Sequence, residues 1–149
     1  MTRIERSIDI ETAPERVFEA LVDWRELTRW STITVEHRGA DRCQGVGDAF
    51  EQTLRIAGTR LKTRWIVTEH DPPHVVAYRV EGVRGGRMRM RQEVAATRTG
   101  SRFDLLIDYE LPGGPLGKLV DRVLARPRNE REAERTLNNL KARLEGSGA

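Results

Sequence analysis

LGKLVDRVLARPRNEREAERTLNNLKARL, Leu116 to Leu144, reads as one long amphipathic helix. Leu116, Leu119, Val120, Val123 and Leu124 recur at helical spacing, and Leu137, Leu140 and Leu144 continue the apolar stripe. Before it runs a long tract of strand-like sequence without a helical pattern. A single helix laid across a curved antiparallel sheet leaves a space between the two, so a ligand pocket is the default expectation. Pro127 interrupts the stretch. It removes one backbone hydrogen bond and crowds the preceding turn, which predicts a kink there. That kink is either a bend that follows the sheet or a hinge beside the cavity mouth.

Working back from this helix, period-2 alternation and turn residues mark seven strands. Ile4 to Ile10 opens the chain with Ile4, Ile8 and Ile10 on one side. A second strand carries Ile33 and Val35, and Gly39, Gly45 and Gly47 mark the turn after it. Ala49 to Ile56, Leu61 to Glu69, Val75 to Glu81, Arg87 to Ala95 and Phe103 to Leu111 follow. Between them lie Gly58, Asp71-Pro72-Pro73, Gly82 with Gly85-Gly86, and Thr97-Arg-Thr-Gly100, all turn-forming. After the first strand, Thr12-Ala-Pro-Glu15 has the form of a capping box with proline in the first turn. Val17, Phe18, Leu21 and Val22 make the buried stripe of that short helix, and Asp23 to Trp30 forms a second. The class is α+β, with antiparallel hairpins, two short helices after strand 1 and one long terminal helix.

The 149 residues suffice for one domain, residues 1–149, with a sizeable core. Hydrophobic residues make up 38% and charged ones 33%, with 26 Lys+Arg against 23 Asp+Glu. The resulting +3 carries no block of like charge, so the sequence pI near 9.5 does not call for nucleic acid. No apolar run reaches membrane-spanning length, and Met1 to Ser7 lacks a signal-peptide core, so neither stable membrane insertion nor targeting is expected. The single Cys43 cannot form an internal disulfide and fits a reducing cytoplasm. It is expected to be a bystander.

Four segments carry a family resemblance. They are Ile8-Asp-Ile-Glu-Thr-Ala-Pro-Glu-Arg-Val-Phe-Glu-Ala-Leu21 with Trp24 and Trp30; Gly45-Val-Gly47; Trp65-Ile-Val-Thr-Glu-His-Asp-Pro-Pro73; and Tyr109-Glu-Leu-Pro112 with Gly117 and Leu137-Asn-Asn-Leu-Lys-Ala-Arg-Leu144. Together they resemble the SRPBCC or START-like superfamily, in its polyketide cyclase/dehydrase and lipid-transport branch. The resemblance implies the helix-grip fold, a curved sheet wrapped around the C-terminal helix, also seen in the birch pollen allergen. It also implies a hydrophobic-ligand-binding domain on a scaffold that hosts binders, transporters and enzymes alike.

Alternation assigns the inner faces independently. Phe50, Gln52 and Leu54 turn inward, as do Leu61, Thr63, Trp65 and Val67. Val76, Tyr78 and Val80 do the same, then Met88, Met90, Gln92 and Val94, then Phe103, Leu105, Ile107 and Tyr109. From these and the two helical elements, the expected ligand contacts are Trp30, Phe50, Gln52, Trp65, Tyr78 and Met88. Met90, Gln92, Leu105, Val120 and Val123 complete the set. Two methionines on one strand suit a flexible apolar ligand. Gln52, Thr63, Gln92, Tyr78 and Tyr109 bring polar groups inward, calling for a ligand, a trapped water or a mutual network. Glu130 lies seven residues from both Val123 and Leu137, on their stripe, and either faces the cavity or is turned to solvent by the bend.

The outer faces carry Arg60, Lys62, Arg64, Arg79, Arg87, Arg89 and Arg91. Asp104 and Asp108 are expected beside the Arg87-Arg89-Arg91 stripe and Glu51 beside Arg60 to Arg64, as cross-strand ion pairs. No aromatic residues interleave with the arginines to form a stacking platform. His70 and His74 are separated by Pro72-Pro73 and His37 stands alone, so no metal site is expected. Nothing resembles a nucleophile elbow or a phosphate loop, and no cofactor is expected. The expected partner is a hydrophobic small molecule: a lipid, an isoprenoid quinone or an aromatic polyketide held by a carrier or chaperone. A polyketide aromatase/cyclase is the first alternative, with Gln52, Gln92 and Tyr78 holding carbonyls and Glu130 as base. Weak anionic-membrane-surface or partner binding through the arginine stripe is the second. The sequence leaves open the ligand's identity, whether the chain is an enzyme, and its oligomeric state.

Overall fold

The computed structural model describes residues 2–56, 59–83, 86–111, 113–114, 121 and 125–147. Strand β1 (Thr2–Ile10) leads into helix α1 (Pro14–Val22), a 3-10 turn (Trp24–Glu26) and helix α2 (Leu27–Trp30). Strands β2 (Thr34–Gly39), β3 (Ala49–Ile56), β4 (Thr59–Asp71) and β5 (Val75–Glu81) follow. Then come β6 (Arg87–Ala96), β7 (Ser101–Glu110) and helix α3 (Arg126–Ser147). The strands form one antiparallel, curved sheet in the order β1-β7-β6-β5-β4-β3-β2. Register shifts between Thr34 and Glu36 and between Val67 and Glu69 break the ladder where bulges help a strand bend. This is the α+β helix-grip arrangement.

The expected alternation holds along most of the sheet, with outward-facing Thr53 and Ala77 buried as exceptions. Leu54, Val67, Val76, Phe103 and Ile10 are essentially sealed from solvent, while Arg60, Arg79, Arg87 and Arg89 stand outside. Gly82 ends β5 at φ +94°, and a Cβ there would lie 2.5 Å from the Lys62 carbonyl oxygen, so no other residue makes that turn without strain.

Some local expectations are corrected. Helix α1 begins at Pro14 with Ala13 at its N-cap and no side-chain cap. Thr12 sits one residue too early for a capping box, and its hydroxyl instead accepts a hydrogen bond from Arg16 at 3.0 Å. Pro127 is the second residue of α3, and the backbone four residues before it, where the expected kink would be felt, lies outside the described residues. The wide, π-type turns at residues 121 and 125 lie just before it. The expected apolar first half of the long helix, Leu116 to Leu124, lies outside the described residues except for Asp121.

The outer-face ion pairs also differ in detail. Asp108 stands opposite Arg89 but is held bidentately by Arg3, at 2.9 and 3.1 Å. Arg91 reaches Glu69 and Glu93, both at 2.6 Å. Asp104 takes Arg102 at 3.0 Å, and Glu51, opposite Arg64, lies 3.8 Å from Arg38. Pairing partners on a pleated sheet include diagonal and same-strand neighbours, which alternation alone does not rank.

Helix α3 is fastened along edge strand β1. Arg6 meets Glu130 at 2.7 Å and Glu134 at 3.1 Å; Lys141 donates to the Asp9 carbonyl and Glu145 accepts the Glu11 N–H. The hydrogen bond from Arg6 is the largest cause holding the Glu130 carboxyl below its ordinary 4.5, with Arg126 assisting. A carboxyl with a depressed folded pKa contributes stability above its unfolded pKa and loses it as pH falls through the folded value. Thermal midpoints should therefore fall on acidification below about pH 4.3, the usual glutamate range. Arg6→Met should flatten that limb, leaving the remainder to Asp108, Glu145 and Asp23, which are lowered in the same way. Parallel acid limbs in the two proteins would exclude the clamp as a source of this dependence.

Candidate functional site

The concave face of the sheet and the inner sides of α2 and α3 enclose a cavity of about 360 Å³. Strand alternation supplies the floor: Phe50, Gln52 and Trp65 from β3 and β4, Tyr78 from β5, and Met88, Met90 and Gln92 from β6. Leu105 and Tyr109 line it from β7, and Trp30 from α2. Of the expected contact residues, Trp30, Phe50, Gln52, Trp65, Tyr78 and Met88 thus face one space. Met90, Gln92 and Leu105 share it, while Val120 and Val123 lie outside the described residues.

One wall is an aromatic stack. Trp24, fully buried, lies with its ring centroid 4.3 Å from that of Phe50. Phe50 continues to Trp65 at 6.1 Å, and Trp65 meets Tyr78 edge-on at 5.4 Å. Trp24 Nε1 donates to the Tyr78 hydroxyl at 3.0 Å. Burial pushes the Tyr78 hydroxyl well above the ordinary tyrosine range. It stays a neutral phenol. Cys43 is buried behind this wall, and burial raises its thiol too, so it is not poised as a nucleophile.

Most inward polar groups are satisfied within the protein. The Thr34 hydroxyl donates to Gln52 Oε1 at 2.9 Å and sits 2.9 Å from Ser31 Oγ. Thr63 donates to the Gln52 carbonyl at 2.8 Å and accepts from Trp65 Nε1 at 2.9 Å. Tyr109 donates to buried Asp121, which also takes the Thr2 hydroxyl. Burial, then the Asp121 contact, raises the Tyr109 hydroxyl above its ordinary range. Three buried polar atoms among the described residues lack any partner: Trp30 Nε1, Gln92 Oε1 and Glu132 Oε2.

Glu130 is not a cavity residue. Seven residues turn an α-helix 20° short of two full revolutions. That small offset puts Glu130 on the flank of Glu134 and Lys141, facing β1 and Arg6. The opposite flank, carrying Asn129, Glu132, Ala133 and Thr136, lines the cavity instead. These residues were missed because three of them are polar and the fourth is small. Ala133 and Thr136, one turn before Leu137 and Leu140 respectively, carried the available signal. Among the described residues, the cavity's ionisable groups are thus Glu132 and the Tyr78 and Tyr109 phenols, the latter bonded to Asp121.

The model of the family described as polyketide cyclase/dehydrase and lipid transport matches residues 1–145. Over 129 residues the chain is 31% identical to Uncharacterized protein Rv1546 of Mycobacterium tuberculosis strain H37Rv, which spans 83% of this chain and 89% of that protein. Toxin Rv0910 of the same strain is 24% identical over 127 residues, 83% and 88% of the two chains. The crystal structure of TTHA0849 from Thermus thermophilus superposes with a TM-score of 0.79 at 21% identity, over 99% of this chain and 98% of that one. At that identity the likeness is one of fold. With the sheet, the gripping helix and a family match over nearly the whole sequence in agreement, the chain belongs to the polyketide cyclase/dehydrase and lipid transport family.

Proposed function

We propose that residues 1–149 act as one START-like domain that holds a hydrophobic small molecule between sheet and C-terminal helix, as a carrier or chaperone. A lipid, an isoprenoid quinone or an aromatic polyketide is the class of ligand intended. The observation that carries this reading is the cavity of about 360 Å³ behind a wall of stacked aromatics and methionines. Atoms that line an unfilled space lack dispersion partners on that side, so an empty cavity forgoes packing that a ligand can restore.

No helix among the described residues is long and apolar enough to cross a membrane. A reducing cytoplasm suits the single Cys43. The surface-binding alternative is weakened because Arg91, the end of the arginine stripe, is already held by Glu69 and Glu93. The test is titration with Nile red, a neutral dye whose emission reports an apolar environment. Saturable binding at one dye per chain with a blue-shifted emission is expected. Emission unchanged at every protein concentration would end the reading.

A further inference from the structure

The three unpartnered buried atoms, Trp30 Nε1, Gln92 Oε1 and Glu132 Oε2, all belong to residues that line the cavity. Elsewhere around it, Gln52, Trp65 and Tyr109 have found partners inside the protein. A buried donor or acceptor without a partner forfeits its full hydration, so three in one cavity describe hydrogen-bonding capacity left for something else. Trp30 and Gln92 are 3% and 6% exposed, so bulk solvent does not supply it.

Two of the three residues flank one seam. The Asn139 amide donates to the Trp30 carbonyl at 3.4 Å, and Thr32 N–H donates to the Thr136 hydroxyl at 3.0 Å. The Thr32 hydroxyl donates to the Glu132 carbonyl at 3.3 Å, drawing α2 and α3 together. Glu132 straddles the wall: Oε1 lies 3.6 Å from exposed Arg135, while Oε2 is buried. Gln92 rises from the sheet floor, where it pairs with Val76 and Leu105.

The inventory is one N–H donor and two oxygen acceptors, one of them on a carboxylate. A hydrocarbon satisfies none of these. A ligand carboxylate can accept from Trp30 and from the Gln92 amide N–H, but it offers Glu132 no proton and its charge opposes that of Glu132. A hydroxyl both accepts and donates. Resting on the cavity-binding reading above, we propose that this cavity selects a neutral, hydroxyl-bearing apolar molecule, an alcohol or phenol, over its carboxylate or hydrocarbon counterpart.

Calorimetric titration of the full chain with 2-naphthol, 2-naphthoate and naphthalene at neutral pH tests this, because the apolar body is constant. The naphthol should bind at least about tenfold tighter than either counterpart, the 1.4 kcal/mol that a tenfold change represents. Trp30→Phe and Gln92→Leu should each lower the naphthol preference severalfold while naphthalene binding is retained. Glu132→Gln, at a half-buried position, should raise naphthoate affinity severalfold. Equal affinity for naphthol and naphthalene would overturn hydroxyl selection and leave the cavity reading standing. Tighter binding of naphthalene-2-methylammonium than of naphthol would overturn it in favour of a cation site. No binding by any probe would end both readings.

Discussion

Ala133→Trp should abolish Nile red binding, lowering affinity by roughly a hundredfold or more, about 2.7 kcal/mol, without unfolding the protein. Ala133 lies on the cavity side of α3, one turn before Leu137, with its small side chain facing the space a ligand would use. An indole at this position extends across the cavity and occupies volume that the ligand needs. Overpacking a filled core costs about 1–3 kcal/mol. Here the added ring enters vacant space, so urea midpoints should fall little or rise. Arg131→Trp, two residues away on the exposed side of the same helix, is the matched control and should bind dye like the wild type. A folded Ala133→Trp protein with unchanged dye affinity would place dye binding somewhere other than this cavity.

Trp24→Ala should destabilise the fold by about 3–5 kcal/mol, the usual cost of deleting a large buried aromatic. That is a large part of the stability of any single domain. The residue is fully buried, stacks on Phe50 and donates to Tyr78, so its removal opens a void and orphans a buried hydroxyl. Its backbone N–H also bonds the Asp41 carbonyl at 2.8 Å, tying the 3-10 turn to the loop before β3. Tyr78→Phe should cost about 1–3 kcal/mol by leaving the indole N–H unpaired. Trp24→Phe with Tyr78→Phe together should lose less than the sum of the two changes made singly, because the second removes the group that the first leaves unpaired. Urea denaturation measures all four proteins. A loss below about 1 kcal/mol for Trp24→Ala would contradict the wall's structural role.

The faces of the strands were legible in advance because a strand reverses its side chains at every residue, whatever its neighbours are. Alternation therefore puts Phe50, Trp65, Tyr78, Met88 and Leu105 on one side whichever strands turn out to be neighbours. Where two or more elements had to meet, the linear pattern carried less. On α3, Glu130 lies on the flank that meets Arg6, and Glu132, about 200° further round, on the flank that meets the cavity; which flank faces which neighbour is settled only by how the helix docks. Thr12 had the composition of a cap, but the helix start was set one residue later by Pro14. The register sets Asp108 opposite Arg89, as the charge pattern implies, yet Arg3 on the neighbouring edge strand reaches it with two hydrogen bonds.

Alternation, turn residues and helical spacing by themselves determined an α+β chain of seven antiparallel strands and a gripping helix, because these signals depend on local backbone geometry. The tertiary structure alone decided which inward polar groups pair with each other and which are left over. Gln52 is satisfied through Thr34, and Trp65 through Thr63, whereas Trp30, Gln92 and Glu132 keep unpartnered atoms. Hydrogen bonds require atoms within about 3.5 Å at suitable angles. Residues as distant in sequence as Trp30, Gln92 and Glu132 share a cavity only once the sheet has curved and α3 has docked along β1.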